Sequence, residues 1–386
     1  MPTAPALEGA ERAGAPATPR DVADVRDAVR AAAAANRPLR MVGGGSWLDA
    51  GRPSADASPL DLSALSGIVE YTPGDLSLTA LAATPLADLA RAARATLGAT
   101  LATASCGPLA ASVGLPRDLA LGIELVTGEG SVVRGGGRVV KNVAGFDLVR
   151  LNVGAWGTLG VLTEATVRLR ALPECDVTVA LVLRPRGPGA RDRGVTPLAA
   201  RLAALRAAPL TPLAVELLSP AMAARLAVHD CGVVLVRLAG NEESVAWQRA
   251  ALSSLGDTVD ADTSVWERLR QSEPPGAATF RLSRRPSELA ATWQRLAAAL
   301  EPFEGATAHA SVDRGVARAI VPTPSAERLA PALAALADAG TLIAERLPAE
   351  CWGALRSEFS TPLAVAARRA FDPARILNRG VVAAGP

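Results

Sequence analysis

Two glycine-rich stretches hold the residue types best suited to chemistry. In the first, Gly43, Gly44, Gly45 and Ser46 follow one another directly. Three glycines let a backbone turn several N–H groups onto one anion, and the serine hydroxyl adds a donor, so the run suits a pyrophosphate; a plain turn after a strand has the same composition. It is neither a GxGxxG dinucleotide fingerprint nor a Walker motif. The second stretch runs from Gly135 through Lys141 to Gly154, Gly157, Gly160 and Glu164. Spaced glycines there allow close approach to a flat ligand, or punctuate β-turns. Acid–base candidates are few, because the chain has two histidines, His229 and His309. His309 reads as part of a turn before a strand, with Asp313 and Arg314 nearby, and is the candidate catalytic base, since imidazole titrates near neutrality. A lone histidine is more often structural. His229, beside Asp230, reads as a helix-end residue. The cysteines, at 106, 175, 231 and 351, are too scattered for a CxxC site or a disulfide framework, and no metal site is expected.

Of 40 basic residues one alone, Lys141, is a lysine. A coding bias toward arginine explains the rest, and a compact ammonium at this position would suit either a ligand or an ion pair with Asp147 or Glu164. The net charge of +2 leaves no excess to hold nucleic acid or anionic lipid. Apolar residues make up 49% of the chain, yet no run approaches the ~20 residues needed for a transmembrane segment. The opening residues lack the pattern of a secretory signal.

These residues need elements to position them. With 386 residues, more than one domain is expected. Valines 22, 25 and 29 sit at helical spacing in 21–36, a strand follows at 38–42, and the 43–46 loop comes next. Short strands are predicted at 60–65 and 67–71, a half-buried alternating strand at 76–82 and a helix at 85–95. Segments 120–127 and 131–134 flank Gly128-Glu129-Gly130 as a hairpin, and 159–169 is a further β segment. After Pro173 a strand at 177–183 and a Pro/Gly/Arg loop at 184–197 precede helices at 198–208, 287–300 and 325–339, alternating with strands at 232–238 and 316–321. This is an α+β pattern. The expected division is a disordered tail at 1–20, a first domain at 21–172, a second at 173–370 and a C-terminal return at 371–386.

The order of residues from Gly135 to Glu164, with KNVAGFDL at 141–148 and VGAWGTLGVLTE at 153–164, resembles that of PCMH-type flavoproteins of the vanillyl-alcohol oxidase family. Its wording is most similar to the E subunits of bacterial glycolate oxidases. The resemblance implies a two-subdomain PCMH-type FAD-binding fold followed by an α+β cap domain. It makes Gly43 to Ser46, with Arg40, the pyrophosphate loop, and places Thr96, Gly98, Ala99, Thr100 and Thr103 in a second FAD segment. In that segment Ala99 replaces a usual glycine, and the approach from Arg94 is shorter than the family pattern. Asp118 matches an Arg-Asp element before a strand, Lys141 lies in the most distinctive motif, and Gly154, Gly157, Gly160, Val161 and Leu162 would lie along the flavin. Residues 371–380 match the family's tail, with Arg379 where proline is usual. FAD is expected to be non-covalent, since no histidine precedes residue 150; Cys106 is the one alternative attachment point nearby.

The same resemblance implies a cytoplasmic FAD-binding subunit, peripheral to the inner membrane through its partners, a D-type flavoprotein subunit and an iron–sulfur subunit. A small 2-hydroxy acid would be the substrate of the complex, and no nucleic acid is involved. Two other readings stand beside it: a self-sufficient FAD-dependent 2-hydroxy acid dehydrogenase using His309 and cap arginines, and a structural subunit without flavin.

Overall fold

A computed structural model describes residues 18–54, 56–89, 95–137, 147–183, 197–355 and 361–382. Most of the N-terminal tail, part of the 85–95 helix, Lys141 and nearly all of the 184–197 loop lie outside the described residues. The first helix, Val22–Ala34, starts where the Asp21 carboxylate accepts the Asp24 N–H, and it buries Val25, Val29 and Ala32. That stripe packs with Leu39, Leu60, Val126, Val161 and Ile376. β1 (Leu39–Val42) pairs in parallel with β2 (Ser58–Asp61), and the 43–46 loop leaves the end of β1.

Five strands form an antiparallel sheet: β3 (Ile68–Thr72), β4 (Ser77–Leu81), β5 (Ala120–Val126), β6 (Val132–Gly136) and β7 (Val161–Arg168), in the order β3-β4-β7-β5-β6. β4, expected to be half-buried, is buried on both faces. Leu97 and Leu101 of the helix Leu97–Thr103 share a core with Leu78 and Ala80, while Thr79 on the other face shares a 2.9 Å hydrogen bond with Thr166.

An eight-stranded antiparallel sheet follows, made of β8 (Cys175–Leu183), β9 (Ala214–Leu218), β10 (Gly232–Gly240), β11 (Thr258–Ala261), β12 (Ala278–Ser283), β13 (Thr307–Ser311), β14 (Val316–Val321) and β15 (Thr341–Arg346). Their order is β11-β8-β10-β9-β13-β14-β12-β15. One face packs on helices that include Leu289–Leu300 and Ala326–Ala337, around Phe280, Leu282, Leu296 and Leu329. Each such side chain contributes roughly 1.5–3 kcal/mol by leaving water. On the other face Met222, Leu226 and Trp266 cover Leu218 and Leu235, and the rest of that face carries charged residues.

His309 corrects the sequence reading, since it lies within β13, paired with Leu218 of β9 and Arg318 of β14, and not in a turn. The stretch Thr-Ala-His-Ala-Ser has too little apolar bulk to announce a strand, and its neighbours on both sides supply the ladder. The chain then returns to its start: Leu39 N–H donates to Ile376 O at 2.7 Å and Asn378 N–H to Leu39 O at 2.9 Å. Buried Asp372 shapes this return by accepting the N–H groups of Ile376 and Leu377. Among the described residues no helix is long and apolar enough to cross a membrane.

Candidate functional site

Three chain segments converge on one cleft of about 750 Å³, measured to its open mouth. Arg40, Gly43, Gly44, Gly45, Ser46, Thr96, Gly98, Ala99, Thr103, Gly157, Gly160, Val161 and Leu162 all line it. Thr100 belongs to the same helix, Leu97–Thr103, which Thr96 opens by accepting the Ala99 N–H. Among the described residues, Thr100, Gly154 and Asp118 are expected residues that do not line the cleft. Gly154 stands behind the wall, its N–H donating to Leu101 O. Asp118 is exposed and accepts the Leu115 N–H at 2.9 Å, which closes the turn before β5 and keeps it from the cleft. Lys141 lies outside the described residues.

The lining also includes Met41, Trp47, Trp156 and Asn378, which sequence reasoning missed. The two tryptophans stand beside glycines in the very segments read as cofactor loops, and that was the available signal. Trp156 has φ +55, a left-handed conformation that costs a bulky residue roughly 1–2 kcal/mol. Its surroundings enforce it: the Trp156 N–H donates to Ala102 O at 2.8 Å, and its carbonyl accepts the Asn378 amide at 2.7 Å. Asn378 Oδ1 in turn accepts the Met41 N–H at 3.0 Å, so one C-terminal side chain joins two walls. The Trp156 ring meets Trp47 edge-on, with centroids 5.7 Å apart.

The glycines serve wall-to-wall contact as much as ligand approach. A Cβ on Gly98 would lie 2.8 Å from Ala82 Cβ, and one on Gly157, at φ +67, would lie 2.8 Å from Asn378 Nδ2. The cleft contains little fixed charge. Arg40 donates to the carbonyls of Trp47 and Ala50 at 3.1 and 3.0 Å, so it braces the loop. Burial pulls its guanidinium below the ordinary arginine value, and Asp49 partly offsets this. The Ser46 and Thr100 hydroxyls, by contrast, are buried without a partner. A buried unpaired donor costs roughly 1–3 kcal/mol, which a ligand oxygen or ring nitrogen removes. Backbone N–H groups of a glycine-rich loop, the unpaired Ser46 hydroxyl and largely apolar walls fit a flavin dinucleotide. No histidine or cysteine lines the cleft among the described residues.

His309 does not line the cleft. Its Nδ1 lies 2.8 Å from Glu216, whose side chain is buried. Its strand partner Arg318 belongs to a network of buried charges. Arg318 pairs with Glu345 and, at 2.6 Å, with Glu273, while Arg281 Nε lies 3.2 Å from Glu345. The Arg281 contact is not aligned for a directed hydrogen bond and is held by charge. Burial pushes the Glu345 carboxyl up, but Arg318, Arg281 and Arg346 outweigh it and hold it below the usual range. Burial likewise opposes the charge on Arg318, which Glu345 and Glu273 raise above its ordinary value. Among the described residues His229, Asp230 and Cys231 are grouped as potential metal ligands, but they are consecutive in one turn outside the cleft.

Comparison with known proteins agrees with this geometry. Residues 14–136 match the FAD binding domain family. Among solved structures, that of p-cresol methylhydroxylase with substrate bound superposes with a TM-score of 0.71 at 16% identity, covering 95% of this chain and 88% of that one. The chain therefore has the fold of p-cresol methylhydroxylase, with a segment that matches the FAD binding domain family. In sequence it is similar to glycolate oxidase subunit GlcE of Escherichia coli (strain K12), 34% identical over 254 residues, which cover 62% of this chain and 65% of that subunit. It is also similar to glycolate oxidase subunit GlcD of Bacillus subtilis (strain 168), 43% identical over 84 residues, covering 22% of this chain and 18% of that protein. The chain thus spans less than two thirds of the length of either relative.

Proposed function

We propose that this chain is the FAD-binding subunit of a complex that oxidises glycolate or a related 2-hydroxy acid. The observation that carries the reading is the cleft itself, in which the two glycine-bearing segments and the C-terminal Asn378 meet around the unpaired Ser46 hydroxyl. The similarity to GlcE over 254 residues supports the choice of complex. When bound, FAD supplies a two-electron acceptor. The chain's own residues would hold it: the 43–46 loop and Ser46 at the pyrophosphate, Thr103 on the facing helix, and 157–162 along the ring system, with the tryptophan pair excluding water. Non-covalent attachment fits a lining that, among the described residues, has no nucleophilic histidine or cysteine. Few groups at the cleft move protons, which suits a chain that relays electrons beside a D-type flavoprotein and an iron–sulfur subunit in the cytoplasm, reaching the inner membrane only through them. The test is the absorption spectrum of the purified chain. Bands of an oxidised flavin, released into solution by acid precipitation, are expected; a colourless chain that takes up no added FAD would refute the reading and favour a structural subunit.

The Glu216–His309 pair favours a second reading, a self-sufficient 2-hydroxy acid dehydrogenase. A carboxylate on Nδ1 orients the ring and leaves Nε2 to take a hydroxyl proton. Turnover of glycolate or lactate by the isolated chain with a dye acceptor, abolished in H309A, would establish it, and absence of turnover would dismiss it.

A further inference from the structure

We propose that Arg346 is the positioning residue of the cleft loop, fastening the wall formed by Ser46 and Trp47 to the edge of the eight-stranded sheet. The side chain ends β15 and is largely buried. Its Nη2 donates to Ser46 O at 2.9 Å, its Nε to Asp49 at 2.9 Å and its Nη1 to Glu273 at 3.0 Å. The guanidinium also lies over the Trp47 ring, 5.0 Å from its centroid. A planar fork of fixed donors can serve these three directions and a ring face together, and an ammonium cannot.

The backbone adds an independent observation. Between β12 and β15 the register shifts, with Phe280 opposite Ala344 but Thr279 opposite Arg346, so Glu345 is the extra residue of a bulge. A bulge frees backbone groups and re-aims the side chains beside it. Here the Glu345 carbonyl accepts the Gly51 N–H at 2.8 Å, at the far end of the same loop. The loop is therefore held at Ser46, Asp49 and Gly51 by two adjacent residues of one irregular strand end. Because Glu273 joins Arg346 to Arg318, the anchor is rooted in the buried charge network of the sheet. The peptide of Ser46 is fixed by Arg346 while its hydroxyl stays unpaired beside the cleft.

The inference concerns loop position and rests on the FAD reading only for its second measurement. Hydrogen exchange of the full-length chain without added FAD reads the loop directly. In R346A the amides of residues 48–52 are expected to exchange roughly ten- to a hundredfold faster, as for loss of charge-assisted hydrogen bonds. R237A, which breaks the comparably buried Arg237–Asp176 pair in the same sheet, should leave them unchanged. FAD titration should show a dissociation constant raised about tenfold or more in R346A and unaltered in R237A. If R346A unfolds generally, R346K decides, with intermediate loop exchange expected. Wild-type exchange in the loop of R346A or R346K, or equal acceleration in R237A, overturns the proposal. A wild-type chain that takes up no FAD sinks the functional reading and leaves the exchange measurement to decide this one.

Discussion

The cleft and the charged face of the eight-stranded sheet differ in what they bury: the cleft holds little charge, whereas the sheet face gathers charges in pairs. In the cleft the one cation among the described residues, Arg40, is committed to loop carbonyls, while the Ser46 hydroxyl is buried without a partner. On the sheet the buried charges lie in pairs, Arg237 with Asp176, Arg281 and Arg318 with Glu345, and Arg346 with Glu273 and Asp49, although the Thr279 and Thr307 hydroxyls and Arg281 Nε on that face also lack a hydrogen-bond partner. An unpaired buried donor raises the energy of the chain until a ligand accepts from it, whereas arginines already paired with carboxylates grip a substrate carboxylate only by giving up those partners. The contrast teaches that the first surface is built to bind and the second to hold. It counts against drawing an anion clamp for a self-sufficient dehydrogenase from Arg281 and Arg318.

The largest break in this contrast is expected from E345A. It leaves Arg318 and Arg281 buried beside a lost partner, and should cost about 3–5 kcal/mol in urea unfolding. Since the Glu345 carboxyl is held below the ordinary range of roughly 4–4.5, its contribution is complete above that range and lost as pH falls through its lower folded value. Thermal midpoints from pH 7 to 3 should therefore fall steeply below about pH 4.5 in the wild type and less steeply in E345A. G157A comes next. Its φ of +67 and the approach of a new Cβ to Asn378 should cost about 1–3 kcal/mol and weaken FAD uptake, read by calorimetry and flavin titration. The smallest effect is the sharpest in sign. S46A removes an unpaired buried hydroxyl, so the chain without FAD should gain about 1 kcal/mol while FAD affinity drops roughly fivefold. A less stable S46A with unchanged affinity would overturn the reading of Ser46 as a hydroxyl held for a ligand.

Much of the scaffold was legible because it is local. The helix Val22–Ala34 announces itself by its valine spacing and its Asp21 cap, the β5–β6 hairpin by its turn glycines, and β14 by a short valine- and isoleucine-bearing segment, VARAIV. Within the cleft, the loop 43–46 and the segment 157–162 were legible as glycine patterns, and Thr96 to Thr103 through family resemblance. Elements whose identity depends on neighbours were not. β13 lacks bulk of its own and exists because β9 and β14 flank it, which turned a supposed turn histidine into a strand residue bound to Glu216. Asp118 looked like a ligand residue until its carboxylate was seen closing the Leu115 turn.

By itself the sequence determined which segments could meet a dinucleotide, since glycine runs, hydroxyls and alternation are written in neighbouring residues. Only the tertiary structure decided what closes the site. Asn378 reaches Met41 and Trp156, and Arg346 reaches Ser46, across hundreds of intervening positions. Contacts of that separation leave no periodicity to read, because they are set by how two sheets come to lie against each other.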